Sequence, residues 1–392
     1  MPIVERYTYL GVVITNTLDY MEIVHDRVAK GTRALASLSP FLRNHAIPLS
    51  VRATVFRATV VPTLLYGGEL WGGSEQRCRK IQTVVNMGLR IMVGCAAKST
   101  NAASAALYRE LQCPPVASQA LARKCRAFNK YVNLSTWIAT LIAHRRLNGT
   151  SRKGSWVCDA AAAVTKHKAV PEGNESLPTV VERVRDAAWA KSELGKRSKP
   201  LAKSADLYAK YDLATSRLCR KGFCWLPPFG RDLACLIRAR VGAFVTGTRE
   251  RHYRKTDVGD SSSGCAFCGG SEESLPHLVI KCTAWSTIRQ QLLGPMIREG
   301  GELLRVAGQS ISARNLTVLL LGGAVAGSRL SGWDYDTVDH DDAHSCASDD
   351  LSSVSSISST GGSPALPTLK RGCYLMASFL RRVGASRYTK LA

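Results

Sequence analysis

Apolar residues recur at helical spacing along most of this chain. Stripes three and four positions apart predict amphipathic helices in the first third, namely one ending at Pro40, one near Pro62, one at Gly94, one before Pro114 and one from Val116 to about Asn133. Later helical stretches are predicted at 183–221 (weakly), from Arg231, and over 284–298, 316–330 and 375–383. The fold class expected from this pattern is mainly α.

The first residues depart from the helical pattern. Tyr7 to Ile14 alternates as a strand does and is followed by turn residues around Asn16 and Asp19. A lone strand or small hairpin needs partner strands to bury its face, and the later sequence offers no obvious set. Either this segment docks on another chain or the sequence begins in the middle of a domain, and we favour the second.

Length and composition narrow the class of protein. The 392 residues are enough for two or more domains. No apolar run approaches the ~18–20 residues of a membrane span, and the first residues lack the basic and apolar regions of a secretory signal. We therefore expect no membrane partner and an intracellular protein, in the nucleus, the cytoplasm or both.

Charge points to the class of partner. The formal net charge is +23, and the stretch 332–366 opposes it with seven Asp and no Lys, Arg or Glu. A chain this basic repels itself unless a polyanion neutralises it, so RNA or DNA is the leading partner, with solubility as the alternative explanation. The acidic, Ser-rich segment 331–367 has too little apolar surface to offset its ordering entropy and is predicted to be disordered.

Basic side chains cluster on several predicted helices and again after residue 250. A stripe of this kind is either a solvated face or a nucleic-acid surface. The residues that we expect to contact RNA or DNA are Arg77, Arg79, Lys80, Arg90, Arg123, Lys124, Arg126, Lys130, Arg251, Arg254 and Lys255.

One constellation carries specific chemistry. Cys265, Cys268, His277 and Cys282 have the spacing C-x2-C-x8-H-x4-C. Two cysteines on a tight turn that Gly269 and Gly270 allow, and a His and a Cys along about one helical turn, suit tetrahedral Zn²⁺. Four protein ligands leave no open position, so the predicted site is structural. The alternative is four unrelated reduced residues.

The order of several motifs resembles a known family. Tyr9-Leu10-Gly11-Val12 is followed by basic helices, then by Leu65-Tyr66-Gly67-Gly68-Glu69-Leu70-Trp71, then by Gln82, Asn86, Leu89-Arg90 and Gly94, and by Ser99-Thr100 through Pro114-Pro115. Leu236-Ile237-Arg238 and the cysteine cluster with Arg289 come later. Over about 5–330 this order resembles the region after the palm in non-LTR (LINE-type) retrotransposon reverse transcriptases.

This resemblance implies a thumb-like helical domain that grips a template–primer duplex and a zinc knuckle that holds RNA or DNA. It also implies that the palm, whose aspartates bind two Mg²⁺, lies before the first strand. This chain would then bind nucleic acid without polymerising, and Mg²⁺ would matter only if a palm is supplied elsewhere. The missing polymerase and endonuclease regions are possible partners, and whether the chain is an enzyme stays open.

The expected organisation follows from the pattern and the resemblance together. In order, it comprises a palm-strand remnant at 1–19, a helical thumb-like domain at 20–147, a basic linker with helices at 148–230, a zinc-binding domain at 231–330, the disordered segment 331–367 and a short amphipathic helix at 368–392. The alternative function is a stand-alone zinc-knuckle adaptor for nucleic acid whose acidic tail binds a partner.

Overall fold

The computed structural model describes residues 4–17, 19–95, 104–143, 146–147, 150–151, 155–171, 175–197, 230–246, 264–270, 273–306, 308–322 and 375–386. Within these ranges the protein is mainly helical, as the hydrophobic pattern predicted. Its residues form two compact units, the first from 1–42, 54–89 and 113–199 and the second from 43–53, 90–112 and 200–392. The six consecutive segments expected from the sequence stay a prediction.

Helices supply nearly all of the described secondary structure. They are α1 (Tyr20–Arg43), α2 (Leu49–Leu64), α3 (Gly68–Trp71), α4 (Glu75–Met92), α5 (Ser104–Glu110), α6 (Val116–Val132), α7 (Trp137–Ala143), α8 (Trp156–Lys166), α9 (Leu177–Arg197), α10 (Gly230–Arg240), α11 (Ser286–Val306), α12 (Ala313–Leu320) and α13 (375–386). Strands β1 (Arg6–Tyr9) and β2 (Val12–Thr15) pair antiparallel, as do the short strands β3 (Arg146–Leu147) and β4 (Thr150–Ser151).

The helix break predicted at Pro40 was wrong, whereas the second helix ends at Leu64, close to Pro62 as predicted. Helix α1 continues through Pro40 to Arg43, and α2 continues through Pro62 to Leu64. A proline removes one backbone hydrogen bond and disfavours the helix. Leu42 and Leu64 beyond the two prolines are fully buried, and burial of a leucine side chain is worth about 1.5–3 kcal/mol. Packing therefore offsets the lost hydrogen bond in the last turn of each helix.

The N-terminal segment, predicted as a strand or small hairpin, folds as a hairpin. Leu10 and Gly11 both have positive φ, which makes the two-residue turn that matches the twist of paired strands. Tyr7 and Tyr9 lie on an exposed face of the hairpin, whereas Val13 on the other face is buried. The hydroxyl of Tyr66 donates to the carbonyl of Leu10 at 2.8 Å and ties the turn to the helical unit. That this hairpin is the remnant of a palm stays a prediction.

The core of the first unit is built around α6. Apolar side chains of α6 pack against α7, α8 and α9, where the buried set is Ala122, Cys125, Phe128, Ile142, Ala160, Val164, Ala169, Val180 and Val184. Helix α8 was not predicted from the sequence. Ser155 precedes this helix and caps it, because its side chain accepts from the N–H of Cys158. The indole N–H of Trp156, the first residue of α8, donates to the carbonyl of Glu69 at 2.7 Å.

The second unit holds the predicted metal segment on a pair of helices. Leu304 of α11 and Leu316, Val318 and Leu319 of α12 form a buried cluster. Ile280, which lies between two of the predicted metal ligands, packs against this cluster. The segment that carries the four predicted ligands therefore packs on a hydrophobic core through Ile280.

Two ionic contacts, one of them fully buried, join distant parts of the second unit. Arg240 of α10 donates from Nε and Nη2 to Oε1 of Glu110 at 3.0 and 2.8 Å, and both side chains are fully buried. Its Nη1 donates to the carbonyl of Leu321. Asp232, also on α10, accepts from Arg381 and Ser378 of α13, each at 3.0 Å. Helix α13 is therefore a docked part of this unit.

Among the described helices, none combines the length and the apolar character that crossing a membrane requires. The predicted disordered segment 331–367 lies outside the described residues.

Candidate metal centre

The four predicted ligands converge on one point of the second unit. The donor atoms of Cys265, Cys268, His277 and Cys282 all lie within 4.8 Å of one another. Sγ of Cys265 and Sγ of Cys282 are 3.9 Å apart, and Sγ of Cys268 lies 3.4 Å from Nε2 of His277. Among the described residues this is the one group of His, Cys, Asp and Glu side chains with such a geometry.

The first ligand pair sits on a tight turn. The N–H of Cys265 donates to the carbonyl of Gly270 at 3.0 Å, and the N–H of Gly269 donates back to the carbonyl of Cys265 at 2.8 Å. Gly269 has φ +67°, the left-handed conformation that glycine adopts without strain. A Cβ on Gly264 would come within 2.8 Å of the Gly269 carbonyl oxygen. The glycines thus allow the chain to fold closely around the two sulfurs.

The second ligand pair is brought together by a π-helical turn over His277–Lys281. Residues five apart on an α-helix are separated by about 500°, which leaves them on nearly opposite faces. Here the N–H of Cys282 bonds to the carbonyl of His277 at 2.7 Å, an i→i+5 hydrogen bond that returns Cys282 to the side of His277. The expected helical turn is present, but it is wider than an α turn.

Two of the donor–donor distances suit zinc. With Zn–S near 2.3 Å and Zn–N near 2.05 Å, a tetrahedral site has S···S edges of about 3.8 Å and S···N edges of about 3.5 Å. The separations of 3.9 Å between Cys265 and Cys282 and 3.4 Å between Cys268 and His277 match these edges. The cluster could therefore hold a metal ion, and its soft sulfur donors and closed set of four protein ligands are compatible with structural zinc.

Local environment affects the protonation of the ligands. A backbone N–H of Gly270 directed at Sγ holds the pKa of Cys268 below its ordinary value. Burial raises the pKa of Cys282 to about 12. Burial, with Lys281 and Arg289 nearby, lowers the pKa of His277, which favours the neutral imidazole that a metal needs. Because Cys282 is protonated at neutral pH without a metal, metal binding would release its proton.

Neighbouring groups support the ligand turns. The buried carboxylate of Glu273 accepts from the N–H of Ala266 at 3.1 Å, and Arg289 donates to the carbonyl of Cys282 at 2.9 Å. Three thiolates around Zn²⁺ carry one net negative charge, which Arg289 and Lys281 offset. The ring of Phe267 meets Trp285 edge to face with centroids 5.1 Å apart. Glu273 was not identified from the sequence, because only the folded turn shows that its carboxylate reaches an amide.

The basic residues expected to contact nucleic acid fall into three environments. Exposed side chains belong to Arg79, Lys80, Arg126 and Lys130. Arg77 and Arg90 are half-buried; the guanidinium of Arg77 lies 4.8 Å from the centre of the Tyr20 ring, and Arg90 donates to the hydroxyl of Ser104. Arg251, Arg254 and Lys255 lie outside the described residues.

Arg123 and Lys124 are not part of a solvated stripe on α6. Arg123 is half-buried, and its Nη1 donates to the carbonyl of Leu65 at 2.9 Å. Lys124 is only 3% exposed. The helical spacing of α6 suggested one basic face, but packing of α6 on α3, α8 and α9 covers this part of the helix. The sequence alone did not show which of these basic residues are buried.

No protein family, no characterised protein and no solved structure matches this chain.

Proposed function

We propose that this protein binds RNA or DNA and that its Cys3His centre is a structural zinc site within the binding scaffold. The observation that carries the proposal is the excess of 53 Lys and Arg over 30 Asp and Glu, which far exceeds what solubility requires. Exposed basic side chains on α4 and α6 supply groups that can reach phosphates, namely Arg79, Lys80, Arg126 and Lys130.

The metal centre supports a binding role over a catalytic one for this segment. Its four donors are all protein side chains, and a hydrolytic or Lewis-acid site would need a position for water or substrate. A small segment that a metal holds in shape can present backbone and basic groups to a nucleic acid with little loss of conformational freedom. Lys281 and Arg289 lie beside the centre and keep its surroundings basic.

The motif order extends the proposal to a family. We infer that the chain is the thumb and zinc-binding portion of a non-LTR retrotransposon reverse transcriptase, on the resemblance of its motifs between about 5 and 330. In that case the preferred ligand is an RNA–DNA duplex or a structured RNA, gripped through its backbone. Primer extension with the chain alone is expected to give no incorporation, and incorporation would instead make it an enzyme.

Salt-dependent binding tests the proposal directly. Fluorescence anisotropy with labelled RNA, DNA and RNA–DNA duplexes should show binding at about 50 mM salt that weakens steeply by 200 mM, because each neutralised phosphate contributes a slope of about −0.9 on duplex DNA. Arg126→Gln and Lys130→Gln should each make that slope less steep by about 0.9, the contribution of one phosphate contact. Lys166→Gln removes an exposed charge elsewhere on the first unit and serves as the control. No affinity at 50 mM salt for any of the three would contradict the proposal.

The seven Asp between 332 and 366 favour a second candidate, a zinc-knuckle adaptor whose acidic segment recruits a basic partner. Deletion of 331–367 distinguishes this adaptor from the nucleic-acid-binding function proposed above. Loss of a protein partner with nucleic-acid affinity unchanged would support the adaptor. Tighter nucleic-acid binding after the deletion would show instead that the segment competes with phosphate for the basic surface.

A further inference from the structure

Lys124 is a buried residue whose ammonium has no partner among the described residues. Only 3% of the residue is exposed, and within the described part of the chain its ammonium forms no hydrogen bond and no ion pair. Burial lowers the pKa of Lys124 from its ordinary value of 10.5, Asp159 acts in the opposite direction, and Arg77 lowers it further. A buried ammonium is costly unless an anion is close to it, so the position favours a negatively charged ligand.

The ammonium lies under a glycine turn. Gly72 and Gly73 connect α3 to α4, and a Cβ on Gly73 would stand 3.5 Å from Nζ of Lys124. Gly73 has φ +92°, which a residue with a side chain rarely adopts. A side chain on Gly72 would overlap Ala120 of α6. The turn thus places backbone without a side chain next to the lysine head.

The same turn leads into the N-terminus of α4, a helix of 18 residues. The first amides of this helix, those of Glu75, Gln76 and Arg77, donate to no group in the described residues, and the carbonyl of Ser74 accepts from Cys78 at 3.1 Å. Free amides and the helix dipole together favour an anion at this end. At this helix start the ammonium of Lys124, which has no ion pair in the described residues, lies beside the glycine turn that precedes the helix.

Arg77 adds a second cation to the same place. Its guanidinium is held over the ring of Tyr20, with a longer hydrogen bond of 3.4 Å to the carbonyl of Trp71, and it interacts electrostatically with Lys124. The acidic neighbours are Glu75 and Asp159, both exposed, and neither forms an ion pair with Lys124 in the described structure. Two cations held close together repel each other, and a shared anion would remove that repulsion.

We propose that Lys124, Arg77 and the first amides of α4 form a site for one phosphodiester group of a nucleic-acid backbone. The site deepens the proposed function and rests on it. A phosphodiester offers several oxygen acceptors around one negative charge, so it can accept from the ammonium, the guanidinium and the amides at once. The same chemistry would also take inorganic phosphate, and the experiment separates the two sources.

The test uses the full chain and compares Lys124→Met with Lys166→Met. Methionine keeps the length and the apolar stem of lysine, so packing on α6 is preserved, and Lys166 is an exposed lysine on α8 of the same unit. Anisotropy with a labelled duplex should show about tenfold weaker binding for Lys124→Met, the loss expected for one hydrogen bond to a charged group. Its salt slope should fall by about 0.9, whereas Lys166→Met should match the wild type.

A second measurement asks whether inorganic phosphate binds by itself. Thermal unfolding is followed with increasing phosphate at constant ionic strength, set by chloride. An unfolding midpoint that rises for the wild type but not for Lys124→Met would support an anion site at Lys124. The same measurement on Arg77→Gln tests the site through its second cation. The site is then still tested if Lys124→Met folds poorly.

The outcomes distinguish this site from nucleic-acid binding in general. If Lys124→Met and Lys166→Met bind the duplex as the wild type does, the site is wrong and nucleic-acid binding stands. If the wild type binds no nucleic acid, the proposed function fails, and a Lys124-dependent phosphate effect would then identify free phosphate as the ligand and overturn the phosphodiester assignment. If Lys124→Met changes neither the binding of the duplex nor the effect of phosphate on the unfolding midpoint, the lysine has only a structural role.

Discussion

The backbone N–H of Cys282 donates to the carbonyl of His277, five residues earlier, at 2.7 Å. This one bond widens the turn so that two side chains of the candidate metal cluster face the same point. A π turn is less favourable than an α turn and persists where something compensates it. Here the packing of Ile280 on the core of α11 and α12 and a metal on the two side chains would provide that compensation.

Removal of one ligand should abolish stoichiometric metal binding. Cys268 is half-buried, so Cys268→Ser removes a thiolate with little loss of packing. Metal analysis of purified protein should give about one zinc per wild-type chain and far less for the variant. Since structural zinc supplies about 10–16 kcal/mol in zinc-finger peptides, hydrogen exchange across 264–282 should rise strongly in the variant.

Cys158→Ser is the matched control for this metal experiment, because Cys158 is also half-buried but lies in the first unit. It should retain a full equivalent of zinc and normal exchange protection. A wild-type protein without zinc, or a Cys268→Ser protein with a full equivalent, would mean that the four side chains are not a metal site.

The buried pair of Arg240 and Glu110 should show strong coupling. Arg240→Met or Glu110→Leu alone leaves an uncompensated buried charge and should lower the free energy of unfolding by about 3–5 kcal/mol, whereas the double variant should recover most of the loss. Denaturant unfolding of the four proteins gives the coupling energy. The surface pair Arg305 and Glu302, with side chains 65% and 64% exposed, is the control and should couple by less than about 1 kcal/mol. Equal coupling in both pairs would contradict this view of the buried pair.

Two helical glycines should respond oppositely to the same substitution. A Cβ on Gly88 of α4 would clash with the buried ring of Phe56, whereas a Cβ on Gly301 of α11 would meet nothing within 4 Å. Gly301→Ala should therefore stabilise the protein by about 0.5–1 kcal/mol through helix propensity. Gly88→Ala should destabilise it by about 1–2 kcal/mol, because overpacking outweighs the same gain. Thermal unfolding measures both, and a stabilised Gly88→Ala protein would refute the close packing of α2 and α4 at this point.

Without an anion, Lys124→Met should be more stable than the wild type. It removes a charge on a buried residue that has no ion pair in the described structure, which we expect to be worth about 1 kcal/mol. The folded-state pKa of Lys124 lies below its ordinary 10.5. The penalty is therefore present while the folded lysine is protonated and fades as the pH rises toward 10.5, so the difference between the two proteins should shrink over that window. Unfolding curves at neutral and alkaline pH, in chloride without phosphate, test this, and a destabilised variant at neutral pH would contradict it.

The amino-acid sequence alone was sufficient for the helical class of the fold and for the four side chains of the candidate metal cluster. Apolar spacing located most of the helices, since burial of one face imposes the same period on any packed helix. The interval between Cys265 and Cys268, and the later His277 and Cys282, identified the cluster, because ligand chemistry limits both residue type and spacing. Neither inference needed long-range contacts.

Only the tertiary structure decided which basic residues are surface groups and where the helices end. Lys124 and Lys130 lie on one helix and look alike in the sequence, but α6 packs on other helices, which buries the first and exposes the second. Helix α1 passes Pro40 because Leu42 beyond it is buried. Both outcomes depend on contacts between residues far apart along the chain, and the free energy of those contacts exceeds the local preferences that a sequence pattern records.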